Sequence, residues 1–450
     1  MDATDTICAI ATARGPGAIG IVRLSGPRAR EYASALLGDA NLPTHGKLQR
    51  RVIRNPATGE PLDEGMVVLF EGPNSYTGDD LVELQLHGSQ VLLAEVVDQL
   101  LAQGARMAAP GEFTMRAFLN GKMDLSQAEA VHDLVDARSV KGLKLAAGQV
   151  LGRVREEIEA ISEGLLQVAA ALEAELDFPD DVEDMDDAQL DLALEKVSDR
   201  LQALIDSYDR TITWKEGFRV VLAGTPNAGK SSLFNALLGR KRAIVSREAG
   251  TTRDYIEEFM PRCEVPVLLV DTAGVRDTDS EAESAGVGLT KLNLAEAHLV
   301  VLLVDLSRPW ETEDRGLAEA TAGAARVVVG TKADLAVTPS PEGAPAIDLA
   351  VSVVTGDSVQ QLHRLLTMTA EQGAQVDTAQ VLVTSRRQLD AIVACKRALS
   401  EARHALKTTP RDIVSSVVRR GLHRLGEVTG QAPVTEQIME EIFSNFCIGK

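Results

Sequence analysis

Long apolar runs, aromatic side chains and clustered cysteines are all scarce in this chain of 450 residues. No stretch approaches the roughly 18 uninterrupted apolar residues of a membrane-spanning helix. The start of the chain, Met1-Asp-Ala-Thr-Asp5, lacks a basic signal region. We therefore expect a soluble, cytoplasmic protein that does not associate with membranes. Its four cysteines are widely spaced, without a C-x-x-C or histidine pairing, so we expect neither a disulfide nor a zinc site: Cys8, Cys263, Cys395 and Cys447.

Positive charge is also in deficit, because 46 basic residues face 66 acidic ones and the net charge is -20. This balance argues against indiscriminate binding of nucleic acid. Basic residues nevertheless gather near the C-terminus, either as a patch for RNA phosphates or as a solvated helical face that balances acids elsewhere. They are Arg386, Arg387, Lys396, Arg397, Arg403, Lys407, Arg411, Arg419, Arg420 and Arg424.

A glycine-rich loop, Gly224-Thr-Pro-Asn-Ala-Gly-Lys-Ser231, fits the phosphate-binding pattern G-x-x-x-x-G-K-[ST]. It follows an apolar strand pattern, Phe218 to Ala223, and opens a helical one, Ser232 to Leu238. Its backbone N–H groups can surround a phosphate, Lys230 can reach the β- and γ-phosphates, and the Ser231 hydroxyl can bind Mg²⁺. The predicted nucleotide contacts here are Asn227, Ala228, Gly229, Lys230, Ser231 and Ser232.

Two later segments have the character of switch loops. In Gly250-Thr-Thr-Arg-Asp254, Thr251 and Thr252 are placed to reach Mg²⁺ and the γ-phosphate. The apolar run Val265 to Val270 then leads into Asp271-Thr-Ala-Gly274. Asp271 would hold a water of the metal and the Gly274 amide would touch the γ-phosphate, contacts that exist only with a triphosphate bound. All four residues of that motif are predicted contacts: Asp271, Thr272, Ala273 and Gly274.

The base-reading motif follows a further strand pattern, Arg326 to Gly330. It reads Thr331-Lys-Ala-Asp334, with Asp334 placed to accept both N–H groups of guanine and Lys332 beside it. The usual motif begins with Asn, so Thr331 is a departure. A second guanine loop, normally Ser-Ala, reads Ser352-Val353. The four motifs in order predict a GTPase.

The catalytic arrangement is less usual, because Val275 occupies the position at which many small GTPases carry a water-orienting Gln. Two replacements are open. Asn227 either binds a monovalent cation between the phosphates or is an ordinary turn residue. The carboxylates Glu281 and Glu283 either orient the attacking water or form a solvated face.

Asn227, the segment Gly250 to Asp254, Val275 and the final Phe446-Cys-Ile-Gly-Lys450 together resemble the MnmE (TrmE) family of tRNA-modifying GTPases, and the resemblance runs from Thr6 to Lys450. It implies a potassium-stimulated GTPase whose G domains dimerise. By position, the resemblance implies K⁺ binding by Asn227, Thr251 and the backbones of Ser246 and Glu248, Mg²⁺ binding by Ser231 and Thr252, and a water-orienting role for Glu283.

The same resemblance implies that the N-terminal domain binds formyl-tetrahydrofolate. Arg23 and Lys122 would hold its anionic tail or formyl oxygen, and Glu83 would accept pterin N–H bonds. Without the resemblance, surface ion pairs are the more natural interpretation. Dimerisation would bring Lys450 of one chain near this site.

The implied function is a homodimeric GTPase that works with MnmG, an FAD protein, in a heterotetramer. Together they would form a 5-carboxymethylaminomethyl or aminomethyl group on the wobble uridine of certain tRNAs, with a folate-derived carbon. Cys447 is a candidate nucleophile, or else a small apolar anchor. Two rivals remain open: a ribosome-assembly GTPase without modification activity, and a folate enzyme whose G domain is only a scaffold.

The predicted fold class is a multidomain chain of α/β and α domains. Residues 1–119 would form an N-terminal α/β domain for folate binding and dimerisation. Residues 120–215 and 377–450 would form one discontinuous helical domain, which a Ras-like P-loop GTPase domain at 216–376 interrupts. Switch rearrangement in the inserted domain would then move two helical arms.

Overall fold

The fold is taken from a computed structural model, which describes residues 5–13, 15–38, 41–177, 186–239, 256–261, 263–271, 296–335, 343–373 and 383–450. The chain divides into two compact units. Unit 1 comprises residues 1–136, 146–203 and 385–450, and unit 2 comprises residues 137–145 and 204–384. Unit 2 therefore interrupts unit 1 in the sequence.

Unit 1 contains a six-stranded sheet in the order β3-β4-β5-β2-β1-β6. Its strands are β1 Ile7–Ile10, β2 Gly17–Ser25, β3 Gln49–Arg54, β4 Pro61–Phe70, β5 Leu81–Gly88 and β6 Arg106–Met107. All neighbouring pairs are antiparallel except β1 and β6, which are parallel. Alternate residues of these strands are buried, as expected for a sheet with one face against a core.

Helices pack against this sheet and continue into a helical region. They are α1 Ala29–Leu37, α2 Gln90–Ala102, α3 Glu112–Leu119, α4 Leu125–Asp136, α5 Val140–Val150, α6 Arg153–Asp177 and α7 Asp187–Glu216. Helices α5 and α7 each pass from one unit to the other. The apolar positions of α6 recur at three- and four-residue spacing and are buried, which explains the length of this amphipathic helix.

Unit 2 contains a second six-stranded sheet, in the order β12-β11-β10-β7-β9-β8. Its strands are β7 Phe218–Ala223, β8 Ile256–Phe259, β9 Val267–Asp271, β10 Leu299–Asp305, β11 Arg326–Thr331 and β12 Leu349–Ala350. The sheet is parallel except at β8, which runs antiparallel to β9. Every residue of β10 is buried, as befits a parallel strand covered on both faces.

The described helices of unit 2 are α8 Lys230–Leu237, α9 Thr312–Ala320 and α10 Val359–Gly373, with a short 3₁₀ helix at Ala333–Leu335. The chain then returns to unit 1 with α11 Arg386–Ala405, α12 Arg411–Thr429 and α13 Glu436–Ser444. Helix α12 packs against both α6 and α11. Both flanks of unit 2 thus contribute helices to one helical region.

The predicted α/β and α multidomain fold class is confirmed. The strand predicted at Phe218 to Ala223 coincides with β7, and the one predicted at Arg326 to Gly330 corresponds to β11. Among the described residues, no helix is both long enough and apolar enough to cross a bilayer.

Candidate functional site

Four parallel strands of unit 2 end at the same edge of the sheet, where the predicted nucleotide motifs lie. Strand β7 leads into the phosphate loop, β9 ends at Asp271, β10 ends at Asp305 and β11 ends at Thr331. Because the strands are parallel, their carboxyl ends meet there. The sheet therefore brings the phosphate motif, the Asp271 carboxylate and the base-reading motif together.

The phosphate loop turns sharply before α8. Asn227 has φ 62° and Gly229 has φ 92°, and both angles lie in the left-handed region. Glycine adopts such a conformation without steric strain, which accounts for Gly229 at this position. The Nζ of Lys230 donates to the carbonyl oxygens of Gly224 at 2.6 Å and Thr225 at 2.9 Å. Burial lowers the pKa of Lys230, and the Asp271 carboxylate partly opposes that shift. The ammonium thus lies inside the loop, whereas the Asn227 side chain is exposed.

Ser231 and Asp271, the described residues that were predicted to bind Mg²⁺ or one of its waters, are in contact. The hydroxyl of Ser231 donates to Oδ2 of Asp271 at 2.9 Å. Hydroxyl and carboxylate oxygens are the ligands that Mg²⁺ prefers, so this pair fits the ion directly or through its waters. The remaining predicted contacts lie outside the described residues, as does Val275: Ser246, Glu248, Thr251, Thr252, Thr272, Ala273, Gly274, Glu281 and Glu283. Ser232, which follows Ser231 on α8, lies within the described residues and is exposed.

The base-reading residues are also gathered. Ser352 is fully buried and its hydroxyl donates to Oδ1 of Asp334 at 2.6 Å, so the two predicted guanine loops meet. The Nζ of Lys332 contacts Oδ2 of Asp305 at 2.6 Å. Thr331 donates from its hydroxyl to the carbonyl of Ala228 at 2.7 Å. Thr331, which stands in place of the usual Asn, therefore bonds the base-reading motif to the phosphate loop.

Sequence reasoning missed a third group beside the phosphate loop. Arg308 and Asp314 lie just after β10 and contact the hydroxyl of Thr225. The one signal in the sequence is that these charged residues follow the carboxyl end of a buried strand, where ligand-proximal residues concentrate. No spacing rule links them to Thr225, which is more than 80 residues away.

A separate polar cluster lies on the sheet of unit 1. Arg23 on β2 and Glu83 on β5 are cross-strand partners, and Oε1 of Glu83 accepts bonds from Nε and Nη2 of Arg23 at 3.0 and 2.7 Å. The guanidinium carbon of Arg23 lies 5.7 Å from the ring centre of Tyr76 and 5.6 Å from that of Phe113. This pair is partly buried and flanked by aromatic rings.

The C-terminal tripeptide docks beside this cluster in the same chain. Nη1 of Arg23 lies 3.4 Å from the carbonyl of Gly449, and the N–H of Phe113 donates to the carbonyl of Lys450 at 3.1 Å. Gly449 has φ 99°, and a Cβ there would approach the Ile10 carbonyl to 2.5 Å. Only glycine fits so close to β1. The carbonyl of Gly449, next to Lys450, thus lies beside Arg23 of the same chain.

Two other predicted residues of unit 1 are exposed. Lys122 lies in the turn between α3 and α4, where its N–H donates to the Ala117 carbonyl. Among the described residues, the carbonyl of Gly449 contacts Arg23, whereas Lys122 has no contact with Arg23 or Glu83. Cys447 is exposed.

Most of the C-terminal arginines contact carboxylates of their own chain. Arg387 pairs with Glu129 at 2.8 Å, Arg403 with Asp191 at 2.7 Å, and Arg411 with Asp187 at 2.6 Å. Four more pair with acids too: Arg386 with Asp390, Arg419 with Glu173, Arg420 with Glu401 and Arg424 with Glu427. This pattern favours the solvated, charge-balanced face over a free patch for RNA phosphates.

A parallel sheet with a phosphate loop after its first strand, a serine and an aspartate at the magnesium position, and joined base-reading loops together define a P-loop GTPase of the Ras-like kind. Comparison with known families agrees. The profile described as "MnmE helical domain" matches residues 125–447, and "GTP-binding protein TrmE N-terminus" matches residues 6–122.

Full-length relatives lead to the same assignment. The chain is 39% identical over 460 residues to a protein of Geobacter sulfurreducens named "tRNA modification GTPase MnmE", covering all of both chains. A protein of that name from Syntrophus aciditrophicus is also 39% identical, with 99% of each chain covered. A solved Aquifex aeolicus Era structure is 23% identical over 40% of this chain and 66% of that chain, with a TM-score of 0.27, a likeness that adds nothing to the assignment. The chain belongs to the MnmE (TrmE) family of tRNA modification GTPases.

Proposed function

We propose that this protein is a potassium-dependent GTPase that acts on tRNA. With the FAD protein MnmG, in a heterotetramer built on its own cytoplasmic homodimer, it forms a carboxymethylaminomethyl or aminomethyl group on the wobble uridine. The modification carbon comes from formyl-tetrahydrofolate. The full-length match to relatives named as tRNA modification GTPases carries this proposal, since it includes both the GTPase motifs and the flanking domains.

The phosphate loop supplies the binding chemistry for GTP. The Lys230 ammonium, which donates to the carbonyls of Gly224 and Thr225, would bind the β- and γ-phosphates. The Ser231 hydroxyl and Thr252 would bind Mg²⁺, and the Asp271 carboxylate, which contacts Ser231, would hold a water of the ion. The ion would neutralise charge that develops on the transferred phosphate. Asp334, braced by Ser352, would read guanine with Lys332 alongside.

Potassium would take the place of an arginine finger. The exposed amide of Asn227, on a left-handed turn of the phosphate loop, has the oxygen donor that a monovalent cation needs. Thr251 and the backbones of Ser246 and Glu248 would complete the site, and Glu283 would orient the water. Because Val275 carries no polar group, the cation and Glu283 together would supply the charge stabilisation and water positioning that a Gln provides elsewhere.

The cluster around Arg23 fits a folate. A pterin ring needs a carboxylate for its N–H groups and aromatic surface for its faces, and Glu83 and the partly exposed Tyr76 offer both. Arg23, Lys122 and Lys450 would face its anionic part. The bound folate would supply the one-carbon unit, and the exposed Cys447 would act as a nucleophile during transfer.

GTP turnover in potassium against sodium tests the first half of this proposal. The parent protein is expected to turn over GTP much faster in potassium, and Asn227→Ala is expected to lose that stimulation while still binding GDP. Asn235→Ala is a matched control, because Asn235 lies on α8 and donates to the Ser231 carbonyl at 2.8 Å. Equal parent rates in the two salts would contradict potassium dependence and favour a ribosome-assembly GTPase.

Calorimetric titration with 5-formyl-tetrahydrofolate tests the second half. Arg23→Met and Glu83→Gln are expected to weaken binding at least about tenfold, since each removes a charged partner. Arg28→Met is the control, because Arg28 forms an exposed pair with Glu31. If the parent releases no heat with the folate, the folate site is wrong, whatever the outcome for potassium. Reconstituted tRNA modification by Cys447→Ser at the parent rate would exclude the nucleophile.

A further inference from the structure

A closed ring of hydrogen bonds fastens the phosphate loop to the segment after β10. Nη2 of Arg308 lies 2.8 Å from the Thr225 hydroxyl and 2.8 Å from Oδ1 of Asp314. The same hydroxyl donates to Oδ1 of Asp314 at 2.9 Å. The side chains of Thr225, Arg308 and Asp314 therefore all contact one another beside the phosphate loop. None of the three belongs to the invariant letters of a nucleotide motif.

The Asp314 carboxylate in this ring is buried and saturated. Its side chain is 4% exposed, and Oδ2 accepts from Nη1 of Arg308 at 2.8 Å and from the Glu311 N–H at 3.0 Å. With the two bonds at Oδ1, its acceptor positions are filled. Burial alone would raise the pKa of Asp314, but Arg308, the Glu311 N–H and the Thr225 hydroxyl together lower it. The carboxylate is thus ionised and bound in a fixed orientation.

The ring is joined to the groups that meet the nucleotide. The backbone carbonyl of Thr225 accepts from Nζ of Lys230 at 2.9 Å, so the residue held by Arg308 also holds the phosphate-binding lysine. On the other side, Nε of Arg308 lies 3.9 Å from Oδ2 of Asp305, and that oxygen contacts Nζ of Lys332. Polar contacts therefore run without a break from the base-reading motif to the phosphate loop.

We propose that Arg308 is a positioning residue for GTP binding, which holds the phosphate loop ready for the β- and γ-phosphates through Thr225 and Asp314. Without Arg308, Asp314 keeps two of its donors and the Thr225 hydroxyl loses one partner, so the loop samples other shapes. Bound GTP must then reorder the loop, and that cost falls on binding rather than on the chemical step.

The test compares Arg308→Met with Arg308→Lys in the full chain. Arg308→Met is expected to raise KM for GTP and the Kd for a fluorescent N-methylanthraniloyl GDP about tenfold, with kcat within about twofold of the parent. Arg308→Lys keeps the charge but not the forked geometry, and should recover part of the loss. Arg315→Met is the matched control, since Arg315 lies on the exposed face of α9 next to Asp314.

A second variant separates positioning from folding. Thr225→Val removes the hydroxyl with little change of shape, and should raise the same two constants in a protein that melts near the parent. In the double variant with Arg308→Met, the two effects on binding are expected to be less than additive, because both substitutions remove bonds from the same ring of Thr225, Arg308 and Asp314. If folded Arg308→Met and Thr225→Val both bind the GDP analogue within about twofold of the parent, the proposal is wrong. A purely structural role would lower the melting temperature and leave KM unchanged.

Discussion

The hydroxyl of Thr331, at the end of β11, donates a 2.7 Å hydrogen bond to the backbone carbonyl of Ala228 in the phosphate loop. The same hydroxyl lies 3.3 Å from the carbonyl of Val304 at the end of β10. Thr331 is 3% exposed, so these contacts lie within the protein interior. One short side chain therefore ties the base-reading motif to the loop that receives the phosphates, although the motif usually begins with Asn.

We expect Thr331→Val to weaken nucleotide binding. The substitution leaves the carbonyl of the buried Ala228 without its hydroxyl donor, which costs about 1 kcal/mol and corresponds to about fivefold faster dissociation of a fluorescent GDP analogue. Thr331→Asn retains a donor and should stay nearer the parent. Thr369→Val is the control, since its hydroxyl bonds the Leu365 carbonyl within α10. Unchanged dissociation from Thr331→Val would show that the tie to Ala228 does not support the site.

We expect Glu129→Ala to destabilise the helical region of unit 1. Its carboxylate accepts from Ser385 at 3.1 Å, from Gln388 at 2.6 Å and twice from Arg387. Removing it leaves a largely buried guanidinium without its charged partner, which costs about 3 kcal/mol. Hydrogen exchange of peptides from α4 and α11 measures the loss. Asp390→Ala, which breaks the exposed pair with Arg386, should change exchange little, and equal effects would contradict the prediction.

We expect the contribution of Glu112 to stability to vanish in acid. Burial alone would raise its pKa, but Arg106, the Ala109 N–H and Arg116 together lower it below the ordinary value of 4.5. A lowered folded pKa gives stability that is fully present above the unfolded pKa and is lost as pH falls through the folded one. The melting difference between parent and Glu112→Gln should therefore be constant from pH 7 to about pH 5.5 and shrink below about pH 4.5. A difference that grew in acid would reverse the sign.

We expect Cys447 to be alkylated first among the four cysteines. Burial raises the pKa of Cys8 to about 11 and that of Cys395 to about 12, and both thiols are inaccessible. Cys263 is half-buried, and burial raises its pKa as well. Because the thiolate is the nucleophile, iodoacetamide at pH 8 should mark Cys447 before the others, as peptide mass spectrometry would reveal. Faster labelling of Cys8 would mean that the N-terminal sheet opens.

The sequence alone determined the features that depend on local spacing. The loop from Gly224 to Ser231, the buried strand before it and the helix after it are neighbours in the chain, so a short pattern identified them. The order of the motifs at strand ends predicted the GTPase class, and the Cys-Ile-Gly-Lys terminus with the flanking segments indicated the family. The predicted helical segments 120–215 and 377–450 include the long helices α6, α11 and α12.

Tertiary structure alone decided the pairings between distant residues. Arg308 reaches Thr225 across 83 positions, and Arg23 reaches the Gly449 carbonyl across 426, and no spacing rule foretells either contact. The sequence left the C-terminal arginines open as an RNA patch or a charge-balanced face, whereas the structure shows that Arg387 and Arg403 contact carboxylates on other helices. Local patterns report which face of an element is apolar; the partner of a polar side chain depends on how those faces pack, and only the folded chain supplies that.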